Sequence, residues 1–307
     1  MKGTQPSVPH VRVLLATFNG QRWLDDQLSS IFGQQDVRPT VVASDDSSSD
    51  GTPALLERWR TQADLTVLPT VAYRFGSAHR NFLRLIRDAD AGDADYVALA
   101  DQDDIWLDRK LARAIECLCD QKAAAYSSNV VAFWPDGRRR LIDKAQPQRA
   151  FDHLFGSPGP GCTFVLTRTE FDRLQSWVSQ RFDDLQGIWV HDWLIYAFVR
   201  DGGGRWIIDR QANMLYRQHG GNEIGVNAGW RAAINRLQHV RSGSYRRTIL
   251  LIADALDAQS APIDAVRRLS WIDRVWLITR VRQFRRRVLE CLFLACFLMV
   301  MPGGDAR

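Results

Sequence analysis

Residues 96–106 read YVALADQDDIW, running from Tyr96 to Trp106. An apolar run ends abruptly at Asp101, Gln102, Asp103 and Asp104. A run with nothing polar inside it predicts a strand buried on both faces, as in a parallel sheet flanked by helices. The acids then stand at the carboxyl end of the strand, where open α/β sheets bind their ligands. Carboxylates only ~5 Å apart repel by roughly 3 kcal/mol per pair at an effective dielectric near 20. A helix starting in the 103–108 region would absorb part of that through its dipole. A bound divalent cation would absorb more, and carboxylates together with phosphate oxygens suit Mg²⁺ or Mn²⁺. Two other readings compete: a solvated turn that caps a helix, and an acidic pocket of the receiver or phosphatase type. The phosphatase pattern of DxD, a small or apolar residue and Thr is not met, because Asp104 and Ile105 follow.

The surrounding sequence repeats the strand-then-helix theme. Residues 11–18 (VRVLLATF) predict a strand, and Trp23, Leu24, Leu28, Ile31 and Phe32 fall at helical spacing. Residues 40–44 (TVVAS) predict a second strand, ending in Asp45 and Asp46; Thr52 and Pro53 then read as a helix start. Residues 65–68 predict a third strand, and Phe82, Leu85, Ile86 and Ala89 give the next helix one apolar face. A βαβαβαβ series argues an α/β domain with right-handed crossovers. Beyond it, 123–134 reads as one or two strands, 156–161 (GSPGPG) as a loop and 162–167 as a strand. Residues 168–180 and 191–200 look helical, and 205–209 and 214–216 extended. From residue 227 only helical pattern is seen, broken near Ser242–Ser244 and near Pro262.

The 307 residues carry a formal net charge of +5, unevenly spread. Residues 228–287 hold thirteen Arg and four Asp, a net of +9, which leaves −4 for the rest. The acidic and basic parts therefore have different jobs. Five cysteines, without a paired CxxC, argue against a disulfide framework or a zinc site and fit a reducing compartment. The polar start predicts no signal peptide. No glycine-rich P-loop or GxGxxG follows any predicted strand, which removes the common triphosphate and dinucleotide fingerprints.

Taken together, VRVLLATFNG, VVASDDSSSDGT and LADQDDIWLDRK, with GPGCTFVLTR (159–168), WVHDWLIYAF (189–198) and YRQHGGNEIG (216–225), resemble the inverting family 2 glycosyltransferases of the GT-A fold. Within that family the chain looks most like the bacterial rhamnosyltransferase group. The resemblance implies a mostly parallel mixed sheet flanked by helices over 10–226. Before it lies a short tail (1–9), and after it a basic, apolar helical extension (227–307). It implies roles too. Thr17 and Asn19 would face the nucleotide, Asp45 or Asp46 would accept from the base, and Arg80 and Asn81 would contact the donor. Asp101 and Asp103 would form the DxD pair, the first near ribose and metal, the second on Mn²⁺ or Mg²⁺. Asp192 would be the general base. As a residue it reads equally as a helix N-cap. His219 would be a further metal or diphosphate ligand, or else a surface residue, and Arg217 would be a diphosphate contact. Gly161 and Cys162 would shape the acceptor cleft. The DDSSSDGT turn departs from the commoner DDGS pattern, which puts its conformation in question.

The implied partners are a nucleotide-sugar donor, by subgroup dTDP-L-rhamnose, and a glycan or lipid-linked acceptor in surface polysaccharide or O-antigen synthesis. A UDP-hexose donor and a non-catalytic scaffold are the alternatives. The tail mixes Trp271, Trp276 and arginines with an apolar run over 288–301. Fourteen residues are short for a span, which needs about 20. A basic amphipathic helix predicts peripheral association with the cytoplasmic membrane face; a helical cap on the catalytic domain is the other reading. No nucleic-acid fold signature is present.

Overall fold

The computed structural model describes residues 8–71, 73–219 and 243–302. The predicted boundary at 226/227 and the second half of the YRQHGGNEIG stretch lie outside them.

The buried run around Leu14 forms β1 (His10–Thr17), and β2 (Arg38–Asp45), β3 (Leu65–Val67) and β4 (Tyr96–Ala100) follow. β1 pairs in parallel with β2 on one side and β4 on the other, and β2 pairs in parallel with β3. The crossovers carry α1 (Leu24–Phe32), α2 (Thr52–Arg60) and α3 (Ala78–Asp88). Side chains alternate along β1. Val11, Val13 and Leu15 join the core shared with α1 and α2, whereas Leu14 and Ala16 join the core shared with α3. That is the period of two a strand covered on both faces requires. Thr52 is not the cap of α2: Asp50 accepts its N–H at 2.9 Å, and Thr52 is the first helical residue.

After the acids the chain departs from the simple repeat. The helix expected to start within 103–108 begins later, as α4 (Lys110–Gln121), after a two-residue strand, β5 (Ile105–Trp106). Next come β6 (Ala125–Phe133), β7 (Arg139–Ile142), α5 (Asp152–Phe155), β8 (Val165–Thr167), α6 (Arg168–Leu185), α7 (His191–Asp201) and β9 (Trp206–Arg217). β8 runs antiparallel to β4, and β6, β9 and β5 continue the sheet. The two extended stretches expected at 205–209 and 214–216 are one bulged strand, because residues between them stay paired with β6 across register shifts. The sheet is thus mixed, parallel in the half that ends at the acids.

The C-terminal segment forms α8 (Ser244–Ala255), α9 (Ala261–Arg268), α10 (Trp271–Ile278), α11 (Val281–Phe284) and α12 (Val288–Val300). It is no loose appendage. Ile249, Ile252, Ile263, Val266, Leu269, Leu277, Phe284, Leu294 and Leu298 are buried in the same core as Phe82, Phe155 and Trp193. Phe284 stacks on Phe155 with centroids 4.4 Å apart. At roughly 1.5–3 kcal/mol for each side chain fully buried, the nine tail side chains in that core together reach the scale of a domain's whole stability of about 5–15 kcal/mol. Two of the arginines turn inward: Arg246 is buried against the carbonyls of Val266 and Arg267, and Arg286 lies against Asp152. Arg247, Arg267, Arg268 and Arg282 stay exposed. So do large apolar side chains: Trp271, Ile272 and Val275 on α10, and Val288, Leu289, Leu292, Phe293, Met299 and Val300 on α12, each 45–79 % exposed. Among the described residues no helix is long and apolar enough to cross a membrane.

Candidate active site

The carboxyl ends of β1, β2 and β4 meet on one side of the sheet. At β2, Asp45 accepts from the Thr17 hydroxyl at 2.9 Å and from the Ser48 N–H and hydroxyl at 2.9 and 2.6 Å. The missing glycine of the turn is answered by Ser47, which adopts φ +60° itself. Asn19 is also left-handed, at φ +46°, and its side chain accepts the Ser49 N–H at 2.8 Å. The two strand-end turns are therefore tied to each other. A cleft of about 520 Å³ opens along Asp45 and Ser48, walled by Leu56 and by Val67, Leu68 and Pro69.

Two sequence candidates turn out to be framework in this structure. Asp46 is buried, and its two oxygens accept the N–H groups of Phe75 and Gly76 at 2.5 and 2.8 Å. Asn81 is buried too, bonding the Ser44 hydroxyl at 2.5 Å and the Ser44 carbonyl at 2.8 Å. Both have spent their polar groups on holding strand ends. Arg80, by contrast, is half-buried, with its guanidinium 5.4 Å from the exposed Trp189 ring. Sequence reasoning missed two arginines here. Arg74 lies 3.6 Å over the Phe18 ring and 3.6 Å from Asp46, at the mouth between β1 and β2. Arg84 is buried against Ser44 and the Pro69 carbonyl.

The acids after β4 divide among themselves. Gln102 bonds both the N–H and the carbonyl of Phe18 at 2.8 Å, which extends the β1–β4 pairing by one side chain. Its side chain also fills the space a Cβ on Gly20 would need. This clamp turns its two neighbours apart. Asp103 meets His219, Oδ2 to Nε2 at 2.6 Å, and His219 stacks on Trp23 with centroids 4.0 Å apart. Asp101 instead gathers with Asp104 and Cys162, one potential ligand atom from each lying within 4.8 Å of the others. Asp104 is fully buried, and burial followed by the Asp103 and Asp101 charges pushes its pKa well above the carboxylate range. Burial and Asp104 push the Cys162 thiol up as well. Both shifts favour the neutral forms, and the buried pair makes a floor beneath the strand end. Beneath it Lys110 is buried 3.5 Å over the Trp106 ring, its pKa lowered by burial to about 7. The signal for Asp104 was present in DQDD; nothing marked Lys110 as part of the same cluster.

Arg217 ends β9 and ties it to the acids. Its N–H donates to Asp104 at 3.0 Å, its Nε to the Asp103 carbonyl at 2.7 Å and its Nη2 to Asp26 at 3.2 Å. That seating brings His219 onto Asp103. A carboxylate and an imidazole converging to 2.6 Å, each side chain 12–13 % exposed, fit the donor set of a divalent cation such as Mn²⁺.

Asp192 stands in the first turn of α7, across the 156–161 loop from the acids. It bonds its neighbour's N–H, that of Trp193, at 2.7 Å. Burial raises its pKa to about 6, against the pull of hydrogen bonding and of Lys144. His191 beside it stacks on Phe82 at 4.2 Å and is kept neutral by burial, with its pKa lowered to about 3. Gly161 has no room for a side chain: a Cβ there would lie 2.5 Å from His191 Nε2 and 3.5 Å from the Asp192 Cβ.

A parallel half-sheet with acidic strand ends, a DxD after its fourth strand and antiparallel strands closing the sheet match the GT-A architecture of nucleotide-sugar transferases. The profile described as "Glycosyl transferase family 2" matches residues 12–189. The chain is 38% identical over 288 residues to the dTDP-rhamnosyl transferase RfbG of Shigella flexneri, covering 93% of this chain and 99% of that one. The chain belongs to glycosyl transferase family 2 and is a glycosyltransferase. Among solved structures it resembles residues 1–349 of S. aureus TarS in complex with UDP. The TM-score is 0.57 and the identity 15%, over 84% of this chain and 69% of that one. It also resembles the mannosyltransferase PcManGT of Pyrobaculum calidifontis, in complex with GDP-Man and Mn²⁺. There the TM-score is 0.53 and the identity 19%, over 95% of this chain and 85% of that one.

Proposed function

We propose that this enzyme transfers L-rhamnose from dTDP-L-rhamnose, with inversion, onto a glycan or lipid-linked acceptor in surface polysaccharide or O-antigen synthesis. The 38% identity to a dTDP-rhamnosyl transferase along nearly the whole chain carries the donor assignment. Asp45, oriented by Thr17 and Ser48, takes the N–H of the base, and Asn19 and Arg80 flank the nucleotide. Asp101 stands at the ribose and metal edge, Asp103 and His219 hold the cation, and Arg217 faces the diphosphate. Bound there, Mn²⁺ or Mg²⁺ supplies charge neutralisation and Lewis acidity at the departing diphosphate. Asp192 takes the proton from the acceptor hydroxyl. The freed oxygen attacks the anomeric carbon from the face opposite the leaving group, and the configuration inverts. The assay is release of nucleoside diphosphate from a panel of nucleotide-sugars, with and without Mn²⁺. Metal-dependent turnover of dTDP-L-rhamnose in preference to UDP-hexoses is expected. Preference for a UDP-hexose would replace the donor, and no turnover of any donor would leave a scaffold.

The exposed apolar face of α10 and α12 suits a membrane surface, which would bring the cleft to a lipid-linked acceptor. With so many of the tail's described arginines paired or turned inward, the attraction is chiefly apolar, and apolar burial is not screened by salt. The full chain should sediment with lipid vesicles and stay with them in high salt. Concentration-dependent dimers that ignore vesicles would assign the face to a second copy instead.

A further inference from the structure

The loop over 156–161 walls the Asp192 side chain, so that a Cβ on Gly161 would lie 3.5 Å from the Asp192 Cβ. The Ser157 hydroxyl donates to the Gly159 carbonyl, 3.1 Å away, and stands near enough to Asp192 to favour its charged form. What fixes this loop comes from the other end of the chain. Arg286 Nη2 donates to the Ser157 carbonyl at 2.8 Å, and its Nε lies 3.6 Å from the Asp152 carboxylate. Arg285 occupies the space a side chain on Gly156 would need. It also donates at 3.0 Å to the Tyr245 hydroxyl, which in turn donates to the Phe155 carbonyl at 2.7 Å.

The Arg286 side chain is only 7 % exposed and Asp152 only 4 %. Burying a guanidinium this deeply costs stability unless a partner and hydrogen bonds offset it. A lysine or arginine meant for an outer basic face would stay in water. The sequence reading put this arginine in a solvent- or membrane-facing tail, and the fold turns it into the catalytic half instead.

We propose that Arg286 is a positioning residue for proton abstraction: by fixing the Ser157 backbone it holds the loop that aims the Asp192 carboxylate. The inference rests on Asp192 being the base. Among the described residues, the charged and titratable neighbours of Asp192 are the neutral His191 and Lys144, which favours its carboxylate and whose own charge is opposed by burial and by Arg286, Arg287 and Arg285 and favoured by Glu290.

The test uses the full chain and measures release of nucleoside diphosphate in the transfer reaction, as kcat, donor KM and the pH profile of kcat. Arg286→Gln should lower kcat by about tenfold, since small misplacement of a reacting group costs up to about 10²-fold, with donor KM unchanged. Its acid limb should move to higher pH, because a released Ser157 no longer favours the carboxylate. Ser157→Ala should move that limb the same way, and Arg286→Lys, which keeps the charge beside Asp152, should recover part of the rate. In an Asp192→Asn background, Arg286→Gln should cost nothing further. Unchanged kcat in folded Arg286→Gln, a donor KM that rises as kcat falls, or an equal loss in the Asp192→Asn background would overturn the proposal. If Arg286→Gln does not fold, Ser157→Ala decides: an unmoved rate and acid limb overturn it. Full activity of Asp192→Asn would remove the base assignment itself, whereas an inactive Asp192→Asn with an indifferent Arg286→Gln removes only this inference.

Discussion

Asp192→Asn should bind donor and metal as the parent does and lose about 10²–10⁴-fold in kcat, the range a positioned general base supplies. The parent's pH profile should carry the same group's signature. Only the carboxylate accepts a proton, and burial holds the pKa of Asp192 near 6. The rate should therefore climb as pH rises toward 6, level off above it, and fall about tenfold for each unit below it. The variant should lack that limb. Stability gives an independent sign check. A carboxyl whose pKa is raised on folding is penalised in its charged form, so the penalty is present at neutral pH and disappears as pH falls below the ordinary range near 3.8. Asp192→Asn should accordingly be no less stable than the parent at pH 7.5. Loss of donor binding with unchanged turnover, or a marked drop in melting temperature at pH 7.5, would recast Asp192 as a helix cap.

The first half of the fold was legible because its signals are local. An apolar run such as Tyr96–Ala100 can be satisfied only by burial on two faces, and its strand was read to the residue. The acids at strand ends were legible for the same reason. What could not be read was which acid would meet which partner. Gln102 decides that by bonding both polar groups of Phe18, a residue 84 positions away in sequence. Asp46, as the alternative to Asp45, and Asn81 were expected at the donor because they stand at the family's positions. Their burial by Phe75, Gly76 and Ser44 depends on how a loop and a helix close over the sheet, which no local pattern encodes. The tail misleads in the opposite way. Its arginines suggest an outer charged face, yet Arg246 and Arg286 are buried, because carbonyls and Asp152 elsewhere in the chain await them.

Asp103→Asn should abolish metal-dependent transfer while leaving the fold intact. Three carboxylates, Asp101, Asp103 and Asp104, stand within four positions. Burial and its neighbours' charges favour the neutral form of Asp104, which eases the repulsion among the three. The other two take different partners: Asp101 gathers at the buried floor, and Asp103 meets His219. Cation binding then depends most on Asp103, which is paired with an imidazole that Trp23 holds in place. Asn keeps the volume and one acceptor but removes the charge. Mn²⁺ affinity, titrated by electron paramagnetic resonance on the full chain without donor, should fall by about 10²-fold or more; even outer-shell partners of metal sites cost about 10–100-fold. Turnover at saturating donor should fall with it. The melting temperature in chelator should stay near the parent value, since losing the His219 pairing is offset by relief of like-charge repulsion with Asp101 and Asp104. Relieved of one like charge, Asp104 should also titrate at lower pH than in the parent. Undiminished Mn²⁺ binding in Asp103→Asn would move the cation onto Asp101, and the pairing with His219 would then be a hydrogen bond that seats the end of β9.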